Sequence, residues 1–241
     1  MNKDLPVRPA NIANIVAINQ GKRPHHIEDP VPTPLSLSGF QQHIAQDTLI
    51  LDARTQDAFG GGHIPGSYNV QLNSSEFEQR VAWILPADVP IALVLERDSD
   101  AERALRALAF VGLEQRVRGH LAGGIDAWQH AEIPLTTVPQ ESVEAVASSL
   151  AAGQCRVLDV REREEWDAGH ISGAVQCSFK QLEGTLAELP LDPAEPLAVV
   201  CAGGFRSSTA CSILLRHGFE DLRNTTGGMD AWIAASLPTA S

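Results

Sequence analysis

The stretch that decides the fold is LAVVCAGGFRSSTACSILLRH, residues 197–217. An apolar run, Leu197 to Val200, ends on Cys201. A glycine-containing turn follows, and then apolar residues recur near helical spacing. The pattern reads as a buried strand, a tight loop and an amphipathic helix. Such an arrangement puts one sulfur at a helix N-terminus, inside a cradle of backbone N–H groups that favours an anion. Cys201 is therefore read as a thiolate nucleophile, with Ala202, Gly203, Gly204, Phe205, Arg206 and Ser207 forming the cradle around its ligand.

Outward from this stretch the chain repeats itself. DTLILDARTQDAFGGGHIPGSYNV (47–70) aligns with CRVLDVREREEWDAGHISGAV (155–175). Asp52 matches Asp159, Arg54 matches Arg161, Phe59 matches Trp166, His63 matches His170 and Gly66 matches Gly173, all at an offset of 107 residues. IALVL (91–95) matches LAVVC (197–201) at an offset of 106, and AGGIDAW (122–128) matches TGGMDAW (226–232) at 104. Matching blocks in one order with small length changes mean a duplicated domain. The copies differ where it matters. Leu95 stands where Cys201 stands, and it is followed by Glu96, Arg97, Asp98, Ser99 and Asp100, with no nucleophile and no glycine. Its three carboxylates would repel an anion, so the first copy is read as inactive.

Short buried strands alternate with helices in each copy, which implies an α/β fold with a mostly parallel sheet covered by helices on both faces. In such sheets sites form beyond the carboxyl ends of the strands, and Cys201 lies at one. Residues 1–35 read as a leader, 36–135 as the inactive domain and 143–241 as the catalytic one, with Pro134 and TTVPQES (136–142) at the seam. Within the leader, Ile12 to Ile18 suits a short helix, and the proline-rich segment after it is irregular. Adjacent His25 and His26 lack further metal ligands at useful spacing and read as loop residues. Gly112 and Gly218 suit helix C-caps.

Composition excludes several classes. At 241 residues, 44% hydrophobic and 20% charged, the chain has ample material for two packed cores. A formal charge of −12 with no basic run argues against nucleic acid. No apolar run approaches the ~18 residues of a membrane helix, and the N-terminus has no signal-peptide pattern. The four cysteines (Cys155, Cys177, Cys201, Cys211) show neither CxxC spacing nor disulfide density, so free thiols in a reducing, cytoplasmic setting are expected.

LDVREREEWDAGHISGA (158–174), the Cys201 loop and GGMDAW (227–232) together resemble the rhodanese sulfurtransferase family, in the order that family shows. The resemblance covers most of residues 145–238 and, more loosely, 36–134. It implies tandem α/β domains, a C-terminal copy that carries sulfur as a cysteine persulfide, and a first copy that is often inactive. RPANIANIVAINQGKRP (8–24) is similar to the segment that joins a metallo-β-lactamase-fold domain to rhodanese domains in persulfide dioxygenase-like fusion proteins. No HxHxDH motif is present, so the chain is expected to be the rhodanese half of a larger protein or to descend from one.

The expected activity is that of a thiosulfate sulfurtransferase-like enzyme, with no cofactor and no metal. The Cys201 thiolate would take sulfur from a small donor, thiosulfate or a low-molecular-weight persulfide, and a thiol or cyanide acceptor would remove it. The alternative is a persulfide relay or docking module for a metallo-hydrolase-fold partner. Arg206 and the loop amides would stabilise thiolate and persulfide, since a helix dipole alone contributes only about 0.3–1 kcal/mol at an exposed site. Cysteine-dependent phosphatases use a Cys-x5-Arg loop; Arg206 is one residue closer, which favours a smaller ligand than phosphate. Asp159, Arg161 and His170 are assigned supporting roles, because their counterparts persist in the inactive copy. Cys155, Cys177 and Cys211 are read as core residues, Trp128 and Trp232 as core anchors, and Phe205 as a wall of the donor pocket. The loop sequence matches neither thiosulfate-using nor mercaptopyruvate-using members of the family.

Overall fold

A computed structural model of the chain describes residues 8–9, 12–22, 33–86 and 88–240. His25 and His26 lie outside the described residues. Helix α1 (Ile12–Asn19) precedes the first repeat, which contributes β1 (Pro34–Leu35), α2 (Leu37–Ile44), β2 (Leu49–Asp52), α3 (Gln56–Gly61) and β3 (Tyr68–Asn69). It continues with α4 (Phe77–Ile84), β4 (Ile91–Val94), α5 (Ala101–Phe110), β5 (Val117–Leu121) and α6 (Gly124–His130). The second repeat contributes β6 (Gln140–Glu141), α7 (Val143–Ala151), β7 (Arg156–Asp159), α8 (Arg163–Asp167) and β8 (Val175–Gln176). Then come α9 (Phe179–Thr185), β9 (Leu197–Val200), α10 (Phe205–Arg216), β10 (Leu222–Thr225) and α11 (Gly228–Ala234).

Each repeat builds a five-stranded parallel sheet, in the orders β1-β5-β4-β2-β3 and β6-β10-β9-β7-β8. The order follows from burial. The central strands β4 and β9 are apolar at every position and wholly buried, as a strand covered on both faces must be. In the second sheet Asp159 pairs with Val200 and Asn224 with Val199. The carboxyl ends of β7, β9 and β10 are thus level, and the residue after β9 is Cys201.

Local chemistry sets the element ends. Ser36 and Ser142 cap α2 and α7 by accepting the N–H of Gly39 and Ala145. Gly112 and Gly218 take positive φ two residues beyond α5 and α10, the conformation that ends a helix at little cost for glycine. The seam reading misses one strand: Gln140 and Glu141 pair in parallel with Asn224 and Thr225, as the edge strand β6. A two-residue polar strand carries no alternation to read, and only the sheet beside it makes it a strand.

By contacts the chain divides into two units. One comprises residues up to Thr55 together with Val70–Leu135, and the other comprises Gln56–Asn69 with Thr136–Ser241. The core of the latter is built from Val143, Val146, Cys155, Val157, Ile171, Ala198, Val200, Met229 and Trp232. Among the described residues no helix is long and apolar enough to cross a membrane.

Candidate active site

Strand β9 delivers Cys201 to the rim of the sheet, and α10 begins at Phe205 after three intervening residues. The cysteine is 1% exposed. Its Sγ accepts the N–H of Gly204 at 3.1 Å and lies 3.4 Å from Ser207 Oγ. Ser207 Oγ in turn donates to the Gly204 carbonyl at 3.0 Å, and turning its proton would direct it at a sulfur anion. Gly204 has φ +95°, a conformation that L side chains rarely adopt. That conformation aims its amide at the sulfur. Gly203, by contrast, has no positive φ, and a Cβ there would meet Asp230 Oδ2 only at 4.0 Å.

The loop is held from behind by the second glycine doublet. Met229 N–H donates to the Cys201 carbonyl at 2.7 Å and Asp230 N–H to the Ala202 carbonyl at 3.0 Å. With their carbonyls tied to the N-terminus of α11, the loop peptides present their other edges to the sulfur. Gly228 permits this approach: a Cβ there would collide with the carbonyl oxygens of Cys201 and Ala202. Asn224, buried at the end of β10, donates to the Gly204 carbonyl at 3.4 Å and to Gln140 Oε1 at 2.7 Å.

Arg206 leaves the loop sideways. Its two terminal nitrogens bind Glu165 of α8 at 2.6 and 2.7 Å, a bidentate pair. The Arg206 guanidinium holds the Glu165 carboxyl below the usual carboxylate range. The same pairing, together with the nearby Cys201 and Glu162, keeps Arg206 charged at any ordinary pH. Next to it, Glu162 accepts from Ser178 Oγ at 2.9 Å and pairs with Lys180 at 3.1 Å. Phe205 is 46% exposed on the first turn of α10.

Helix α10 is not amphipathic in place. Every residue from Ser207 to Leu214 is buried, and the hydroxyls of Ser208, Thr209 and Ser212 are met by Asn69. Ser208 Oγ donates to Asn69 Oδ1 at 2.6 Å, Thr209 Oγ1 to the Asn69 carbonyl at 2.7 Å, and Ser212 Oγ accepts the Asn69 N–H at 3.0 Å.

Asp159, Arg161 and His170 do other things. Asp159 accepts the backbone N–H and the guanidinium of Arg161 at 2.7–3.0 Å, and Arg161 also bonds the Gly169 carbonyl. The His170 ring stacks on Trp166 with centroids 3.7 Å apart, and its backbone forms a bridge to Ala240. The first repeat reproduces both arrangements: Asp52 with Arg54 at 2.6–3.2 Å, and His63 on Phe59 at 3.7 Å with a bridge to Thr136. All four cysteines are free and buried. Burial pushes the thiols of Cys155, Cys177 and Cys211 upward, farthest for the fully buried Cys211. No group of three or more His, Cys, Asp or Glu side chains is placed to hold a metal ion among the described residues.

The model of the rhodanese-like domain matches residues 36–131 and again residues 142–235. The chain belongs to the rhodanese-like domain family. Curated relatives include the thiosulfate sulfurtransferase GlpE of Shewanella oneidensis, 30% identical over 95 residues, which are 39% of this chain and 92% of that protein. GlpE of Pseudoalteromonas translucida is 35% identical over 79 residues, 33% of this chain and 73% of that protein. Among solved structures, the human single-domain sulfurtransferase TSTD1 is 29% identical with a TM-score of 0.38, covering 40% of this chain and 96% of that one.

Three residues of this rhodanese loop and its supports escape a reading of the sequence alone: Glu165, Asn224 and Gly228. A signal for Glu165 exists. At the offsets that align the two copies, Glu165 corresponds to Ala58 and Arg206 to Asp100. Both halves of the ion pair are lost together in the copy that also lacks the cysteine. The signal for Gly228 is the recurrence of a glycine doublet in both copies, which the repeat by itself accounts for without assigning it a role.

Proposed function

We propose that the protein is a sulfurtransferase that moves sulfane sulfur from thiosulfate or a low-molecular-weight persulfide to a thiol or cyanide acceptor through a persulfide on Cys201. The observation that carries this reading is the Cys201 Sγ at the end of β9, facing the Gly204 N–H at 3.1 Å and Ser207 Oγ at 3.4 Å. The Gly204 N–H, and the Ser207 hydroxyl once its proton turns from the Gly204 carbonyl, would hold a sulfur anion, the thiolate and the terminal sulfur of a persulfide alike. The similarity to two thiosulfate sulfurtransferases supports the same chemistry. In the first half-reaction the thiolate attacks the sulfane sulfur of the donor, the donor's S–S bond breaks, and sulfite or a thiolate leaves. In the second, the acceptor attacks the outer sulfur and regenerates the Cys201 thiolate. Incubation with donor should add one sulfur atom per chain by intact mass, and Cys201→Ala should take up none. Uptake by the alanine variant would overturn the assignment.

A second reading is a sulfur relay, in which the persulfide passes to a protein partner of metallo-hydrolase fold rather than to a small acceptor. It draws on the 29% identity over 105 residues to the putative sulfur carrier protein YrkF of Bacillus subtilis, of which the match spans 56%. The choice of a metallo-hydrolase-fold partner comes from the sequence resemblance read at residues 8–24. Persulfide that forms on Cys201 but is removed far faster by such a partner than by cyanide or glutathione would establish it.

A further inference from the structure

We infer that Glu165 selects the donor: by neutralising Arg206 it makes the mouth of the Cys201 loop charge-balanced, which suits an alkyl persulfide and disfavours a dianion such as thiosulfate. The inference rests on the sulfurtransferase reading and narrows its substrate class.

A site built for an oxyanion donor leaves cationic donors free to meet it. Here the cations that flank the loop among the described residues each have a carboxylate. Arg206 is held bidentately by Glu165 at 2.6 and 2.7 Å. Lys180 lies 3.1 Å from Glu162, and Arg161 is held by Asp159 at 2.7 Å. The neutral donors of the loop remain: the Gly204 amide and the Ser207 hydroxyl, each facing Sγ. The first donates to the sulfur and the second can turn to it from the Gly204 carbonyl, which matches one sulfur anion rather than an oxyanion. In the protonated form of an alkyl persulfide such as glutathione persulfide, the outer sulfur is uncharged and the ionic groups lie on the peptide, away from it. Transfer then needs no cation at the mouth: Cys–S⁻ + RS–SH gives Cys–S–SH + RS⁻, the RS–SH bond breaking as the new S–S bond forms.

The first copy separates this pair from the pairs that the fold repeats. The Asp–Arg and aromatic–His pairs persist there with the same geometry. The Glu165–Arg206 pair does not, since Ala58 and Asp100 take those places. Glu165 also accepts the Glu162 N–H at 3.0 Å in the capping box of α8, an acceptor that glutamine keeps; what the first copy lacks is the partnership with Arg206.

The test is single-turnover loading of Cys201 in the full chain, followed by intact mass, with sodium thiosulfate and with glutathione persulfide. The parent should load from the persulfide faster, and its thiosulfate rate should not fall as sodium chloride is added. In Glu165→Gln the ratio of thiosulfate to persulfide rates should rise roughly tenfold, because one uncompensated cation now faces a dianion. The variant's thiosulfate rate should also become salt-sensitive. An unchanged ratio, or equal loss with both donors in a variant that melts like the parent, would overturn the inference. So would a steep fall of the parent's thiosulfate rate with salt, a measurement that decides the matter even if the variant does not fold. Uptake from neither donor by the parent would remove the sulfurtransferase reading itself.

Discussion

At the scale of single residues the site depends on one backbone conformation and one ion pair. Gly204 holds φ +95° while its N–H meets the sulfur, and a Cβ there would press on the Gln56 side chain at 3.0 Å. Gly204→Ala should therefore cost about 1–3 kcal/mol of stability and reduce sulfur uptake from every donor alike. Urea unfolding and mass-monitored loading check the two effects separately. Glu165 makes a different prediction, in pH. Its carboxyl is held low by Arg206, so the folded form binds that proton less readily than the unfolded chain does. The resulting stabilisation is present above the unfolded value of about 4.3 and is lost as pH falls through the folded one. Melting temperatures recorded from about pH 3 to about pH 6 should drop less steeply on the acid side for Glu165→Gln than for the parent. Parallel curves would show that the pair contributes nothing to folding.

At the scale of elements the two glycine doublets are brackets between a strand end and the following helix. In the second repeat a Cβ on Gly228 would meet the Cys201 and Ala202 carbonyls, and in the first a Cβ on Gly124 would meet the Leu95 carbonyl at 2.9 Å. Gly228→Ala and Gly124→Ala should each destabilise by about 1–3 kcal/mol. Only the former should slow sulfur loading, because only it moves the peptides that face a sulfur. Equal effects on loading would mean that the loop geometry is insensitive to its rear support. Helix α10 shows where element-level reading stops. Its sequence mixes the hydroxyls of Ser207, Ser208, Thr209 and Ser212 with apolar residues and reads as amphipathic, yet residues 207–214 are all buried. The hydroxyls of Ser208, Thr209 and Ser212 are matched by Asn69, about 140 positions away in the chain, and no local pattern reports such a partner. Strand β6 was illegible for a related reason: Gln140 and Glu141 become a strand only because β10 offers unpaired backbone groups.

At the scale of the whole molecule, one architecture is used twice, and the cysteine stands at the end of the central strand in the second copy alone. Both sheets have the same strand order, and both keep the Asp–Arg closure, the aromatic–His stack and the glycine doublet. The first copy has a cavity of about 260 Å³ at the end of β4, lined by Arg54, Leu95, Arg97, Asp100 and Arg103 among others. Its loop lacks the glycine at the place of Gly204, where Asp98 stands and accepts the Gly123 N–H. Restoring the nucleophile alone should therefore fail. Leu95→Cys placed in a Cys201→Ala background is expected to take up no sulfur from thiosulfate or glutathione persulfide. Uptake by that double variant, mapped to the first repeat by peptide mass, would show that a thiol at this strand end works without the cradle.

The duplication, the α/β class, the parallel sheets and the position of Cys201 at a strand end could all be read from the chain itself. Each depends on order and periodicity, which are properties of a linear string: the blocks recur in sequence, apolar runs of four mark buried strands, and a cysteine follows one of them. The tertiary structure decided where charges and carbonyls point. Arg206 and Glu165 are 41 residues apart, and Cys201 and Met229 are 28 apart, so only the packing of α8, α10 and α11 around the end of β9 brings them together. From the string, Arg206 was a cation available to the sulfur. In the fold its terminal nitrogens belong to a carboxylate, because a half-buried guanidinium without one would bear the cost of desolvation uncompensated.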